Sequence, residues 1–142
     1  MNSKSLHIGA LAAAALLAIA SPASAEKLMM KVSLNAASEV PPNSSPATGT
    51  ADVTFDTATK LLTWKVTYSG LTGPATMAHF HGPGEAGKNA PVVVPIPNPA
   101  SGIDGSATLN DAQTADLLAG KYYINVHTDA NKGGEIRGQV VK

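Results

Sequence analysis

Residues 51–68 read ADVTFDTATKLLTWKVTY, and the fold class is legible in this stretch. Ala51, Val53 and Phe55 alternate with Asp52, Thr54 and Asp56, then Leu62, Trp64, Val66 and Tyr68 alternate with Thr63, Lys65 and Thr67. A period of two places the apolar set on one face of a strand and the polar set on the other. Thr57 to Thr59 make a short turn between the two runs, so the stretch predicts a hairpin with one apolar face.

The same alternation recurs on both sides of the hairpin. Before it, Leu28, Met30, Val32, Leu34 and Ala36 alternate with Met29, Lys31, Ser33 and Asn35. Residues 39–46 then form a proline-rich loop. After the hairpin, Thr76 to His81 is a short strand that runs into Gly82-Pro83-Gly84. Pro91 to Pro97 is apolar but broken by prolines, which restricts it to an edge strand or an extended loop. Further strands are predicted at Ile103–Leu109, Tyr122–Thr128 and Glu135–Val141, the last two joined by a Gly133-Gly134 turn. One helix is expected, with Asn110 as its N-cap, Gln113 completing a capping box and Gly120 ending it. Many short strands with one helical connection predict an all-β antiparallel sandwich.

The N-terminus reads as a cleavable signal peptide over residues 1–25. Lys4 precedes an apolar run, Ile8 to Ala20, and Ala23-Ser24-Ala25 has the small-x-small form of a cleavage site near Ala25. Residues 26–142 are then one domain, expected to be periplasmic or secreted and without a membrane anchor. Lys plus Arg and Asp plus Glu number 10 each, which gives no electrostatic reason to expect nucleic acid as a partner. There is no cysteine, which removes thiolate catalysis, iron–sulfur clusters and blue-copper sites. The chain has no phosphate loop, dinucleotide fingerprint or nucleophile elbow.

Three histidines remain beyond the leader: His79, His81 and His127. His79 and His81 stand at i and i+2 of a strand, on one face and about 6.6 Å apart along it. That spacing lets two rings converge on one ion. Parity sets Tyr123, Asn125 and His127 opposite the apolar Ile124 and Val126, and sets Glu135, Arg137 and Gln139 opposite Ile136 and Val140. With the apolar sets inside, the histidines, Glu135 and Arg137 are expected on outward faces, where solvent can supply a fourth position. Three imidazoles with an open position suit copper, or zinc as the lesser alternative. Zinc hydrolysis would need a general base, for which Glu39 and Glu135 are the candidates. Met29 and Met30 are candidates to assist Cu(I).

The stretches LNAASEVPP (34–42), AHFHGPG (78–84), APVVV (90–94), LAGKYYINVHT (118–128) and GGEIRGQV (133–140) resemble the CHRD domain family. The resemblance implies an immunoglobulin-like Greek-key β-sandwich and export. The histidine pattern is also similar to that of copper–zinc superoxide dismutases, with an HxH pair, a later histidine and an arginine after it. A fourth, bridging histidine is absent, which leaves a single-metal site. Two functions follow. One is a copper-dependent, superoxide dismutase-like redox protein, with Arg137 steering the superoxide anion. The other is a copper carrier or buffer without turnover. An adhesion or interaction domain is the third reading.

Overall fold

The computed structural model describes residues 24–142. The expected leader lies outside the described residues, apart from Ser24 and Ala25. Among the described residues, no helix is long and apolar enough to cross a membrane.

Strands β1 (Lys27–Asn35), β2 (Thr48–Asp56) and β3 (Leu61–Ser69) form an antiparallel meander. Ala51 faces Val66, Val53 faces Trp64 and Phe55 faces Leu62, so the alternation that predicts the hairpin also sets its register. All of these side chains are buried, as are Leu28, Met30, Val32 and Leu34 on β1. Next come β4 (Ala75–His81), β5 (Val92–Ile96) and β6 (Ile103–Thr108). Helix α1 (Asp111–Leu118) has the expected Asn110–Gln113 capping box and buries Leu117. β7 (Tyr122–Thr128) and β8 (Ile136–Val140) complete the chain.

The eight strands of the described residues make one antiparallel sheet in the order β5-β4-β7-β8-β1-β2-β3-β6. Trp64 on β3 meets Phe80 on β4 edge to face, with ring centroids 5.1 Å apart. These strands are remote along the ladder, so the sheet rolls over its own apolar face and becomes nearly barrel-shaped. The proline-broken β5 is an edge strand, where Pro95 interrupts no inner ladder. An immunoglobulin-like Greek-key sandwich is a finer description than this single ladder carries. The two halves join where Asn35 on β1 pairs with Arg137 on β8. Gly138 permits that approach, because a Cβ there would run into the Ser33 carbonyl oxygen and Val32.

The two halves differ on the side away from the core. On β1, β2, β3 and β6, Lys31, Asp52, Lys65 and Asp104 stand opposite one another in register as an exposed row of alternating charge. Such pairs are worth little in stability. By contrast, β7 is buried at every position. The non-core face of β7 and β8 and the His81 end of β4 are covered by loops, and the expectation of an outward, solvated face is corrected there. Parity assigns each side chain to a face, but it does not reveal that a loop lies over that face.

Candidate metal centre

Under those loops, β4 supplies His79 and His81, and the neighbouring β7 supplies Asn125 and His127. In register, His79 faces Asn125, Met77 faces His127 and His81 faces Tyr123. Directly opposed residues share a face, so the sequence spacing brings three imidazoles into one cluster. One nitrogen from each ring lies within 4.8 Å of the others. His79 Nδ1 is 3.2 Å from His127 Nε2. The exposure graduates across the cluster: His81 is 9% and His127 6% exposed, while His79 is half-buried.

The far nitrogens of two rings are fixed. His81 Nδ1 donates to the Ala90 carbonyl at 2.8 Å, and His127 Nδ1 donates to the Lys132 carbonyl at 2.8 Å. A carbonyl only accepts, so each Nδ1 carries the hydrogen and each Nε2 presents a lone pair to the cluster. Backbone anchoring of the second nitrogen is the usual support of a metal-ligating histidine. Burial pulls the pKa of both His79 and His81 below the ordinary value, with the neighbouring imidazoles adding to the effect. The rings therefore hold the neutral, ligating form to lower pH than a free imidazole.

The chemistry of this donor set fits a metal ion that takes imidazole nitrogen. Two ligands across an ion with bonds of about 2.0–2.1 Å are at most about 4.2 Å apart. The widest pair in the cluster must close by some tenths of an ångström, and half-buried His79 has the freedom to do so.

A family model described as the CHRD domain matches residues 30–140. The chain belongs to the CHRD domain family. No curated protein and no solved structure matched the chain.

The motifs that carry the CHRD resemblance meet on this covered face. Tyr123 stacks on His81, with ring centroids 4.8 Å apart and planes 2° from parallel. The Tyr123 hydroxyl donates to the Ala90 carbonyl and accepts from the Ala90 N–H, which fixes the group that anchors His81. Arg137 is 1% exposed. Its guanidinium lies 3.4 Å from the Tyr123 ring centroid and donates to the carbonyls of Lys88 and Glu85 and to Asn89 Oδ1. Gln139 Nε2 donates to the carbonyls of Gly84 and Gly120. The arginine and glutamine of GEIRGQ thus pin the 82–91 loop over the histidines. Arg137 is neither outward nor paired with Glu135.

Arg137→Lys should therefore speed amide exchange through residues 84–91 and cost about 1–2 kcal/mol, since an ammonium cannot reproduce the planar fork. Hydrogen exchange read residue by residue checks this. Unchanged protection of the loop would remove Arg137 from its anchoring role.

The two candidate bases are both buried. Glu135 is wholly enclosed and accepts from Ser45 Oγ, Thr72 N, Thr72 Oγ1 and Thr128 Oγ1. Glu39 is 5% exposed, and its Oε1 has no hydrogen-bond partner among the described residues. Burial raises its pKa to about 7, against the opposing pull of Arg137 and the Asn125 amide. Gly134, at φ 127°, has room for no side chain, because a Cβ would collide with the Glu39 carboxylate and the Asn125 amide. Of the methionines, Met30 lies in the core and Met29 is exposed on β1. Sequence reasoning passed over Met77, exposed and opposite His127 in register, and gave Asn125 a face but no role. Strand parity marks both, since Met77 is two residues before His79 and Asn125 two before His127.

Proposed function

We propose that this CHRD domain is a copper-binding protein that acts outside the cytoplasm after loss of its leader. The observation that carries the reading is the convergence of His79, His81 and His127, with one nitrogen of each within 4.8 Å of the others. Copper is preferred to zinc because an imidazole set without thiolates binds Cu(II) more tightly along the divalent series. Bound copper would supply one-electron redox chemistry. The chain's own residues hold the ligands: the Ala90 and Lys132 carbonyls fix two rings, and the 82–91 loop shields His81 from water. The carrier or buffer role suits this shielding.

Superoxide dismutase-like turnover is the second reading, favoured by the half-buried His79, which leaves one edge of the cluster near solvent. Steering by Arg137 is not part of it, because a guanidinium enclosed by loop carbonyls projects little field to a diffusing anion.

Titration of the processed protein with Cu(II) and Zn(II) tests the proposal. One Cu(II) per chain should bind, with nitrogen hyperfine structure from imidazole in its spin-resonance spectrum, and Zn(II) should compete poorly. Because His79 and His81 stay neutral below their usual range, their contribution to affinity should persist below pH 6.5 and fall only at lower pH. Absence of stoichiometric binding overturns the reading. Superoxide turnover no faster than that of free copper would leave the carrier role alone.

A further inference from the structure

The amide of Asn125 occupies a position that its hydrogen bonding does not explain. Its Oδ1 lies 2.9 Å from His81 Nε2 and 2.9 Å from His127 Nε2. Both of those nitrogens present lone pairs, because the Nδ1 hydrogens are committed to the Ala90 and Lys132 carbonyls. The Asn125 oxygen therefore faces two acceptor nitrogens at hydrogen-bond distance without a hydrogen between them.

Turning the amide over would aim its NH2 at both Nε2 lone pairs but would only move the conflict to the other side of the amide. Asn125 Nδ2 points toward the Gly133 carbonyl at 3.4 Å, and the Glu39 carboxylate packs beside it against Gly134. A flipped amide would set its oxygen against both acceptors. A single proton on one Nε2 satisfies one of the two short contacts and leaves the other bare. A cation shared by all the lone pairs satisfies the whole group. The separations agree with that occupant: adjacent donors on one ion with bonds of 2.0–2.1 Å lie about 2.9–3.4 Å apart. Three of the six pairs among these donors measure 2.9, 2.9 and 3.2 Å, and the imidazole nitrogens as a set lie within 4.8 Å.

We propose that Asn125 Oδ1 is the fourth donor of the centre, completing a set of three imidazole nitrogens and one amide oxygen. The proposal rests on the three-histidine reading above. Gly133 and Glu39 act as positioning groups that hold the amide oxygen toward the rings. The fourth position is then filled by the chain rather than by solvent, which favours holding copper over turning a substrate.

Cu(II) binding and spin resonance on variants test this. Asn125→Ala should weaken Cu(II) binding by about tenfold or more and shift the copper hyperfine coupling. Asn125→Asp, which keeps an oxygen in place and adds charge, should retain binding with a spectrum altered from that of the wild type. Wild-type affinity and spectrum in Asn125→Ala, with binding lost in His127→Ala, would overturn the amide ligand and leave the histidine site standing. Wild-type binding in His127→Ala would overturn the three-histidine reading itself. If Asn125→Ala does not fold, the aspartate variant decides, because an unchanged spectrum there removes Asn125 from the coordination sphere.

Discussion

Glu135→Gln is expected to remove about 3 kcal/mol of stability at neutral pH, a drop of about 12 °C in melting temperature for a domain of this size. The figure follows from the carboxylate's surroundings. Burial alone would raise its pKa, but hydrogen bonds from Ser45, Thr128 and Thr72 outweigh burial and bring it from 4.5 down to about 2. These donors come from the loops at 43–47 and 70–74 and from β7, so one carboxylate ties together segments remote in sequence. A glutamine can serve Thr72 Oγ1 and Thr128 Oγ1 with its NH2 if both hydroxyls reverse, but the ionic part of every bond is lost.

Because the folded-state pKa is depressed, the contribution is fully present above about pH 4.5 and is lost as pH falls toward 2. Wild-type stability should therefore decline steeply across that window, and Glu135→Gln should decline much less. Glu39 acts in a separate window with the opposite sign. Its raised pKa means that its protonated form favours the fold and that stability falls as pH rises from about 4.5 through 7. Thermal melts across pH 2–8 separate the two. Parallel acid limbs for the wild type and Glu135→Gln would show that the carboxylate does not hold these loops.

Strand alternation reveals so much of this fold because each strand of the meander has one face against the core, and burial on that face imposes the period of two. In β2 and β3 it sets the register as well, through Val53 against Trp64. The same logic puts His79, His81 and His127 on one face from the sequence alone. It fails at the next step because solvent exposure of the non-core face is a property of loops. The 82–91 segment has no periodicity, and its position depends on Arg137, Gln139 and Tyr123 reaching its carbonyls. In sequence an arginine two residues after a glutamate resembles a surface pair. In the fold Glu135 and Arg137 instead serve different loops, and neither answers the other's charge. The roll of the sheet was equally hidden, since the Trp64–Phe80 contact joins strands that never pair.

The histidines themselves should not be equivalent, and this inequality is the sharpest consequence of the covered face. His127→Ala is expected to lower Cu(II) affinity by about a hundredfold or more, beyond the 10–100-fold typical of losing only a supporting partner. His81→Ala should behave alike, because both rings are held in place by a backbone carbonyl before any metal arrives. His79 is half-buried, and among the described residues the structure gives it no such carbonyl. Ordering a loose side chain costs about 0.5–1.5 kcal/mol, so His79 contributes less net affinity than a ring already fixed. His79→Ala should therefore lose about tenfold less affinity than His127→Ala. Equal losses at all three positions would mean that the carbonyl anchors do not preorganise the site. A larger loss at His79 would place the metal toward the exposed edge of the cluster, away from Asn125, and would leave that amide without a role in binding.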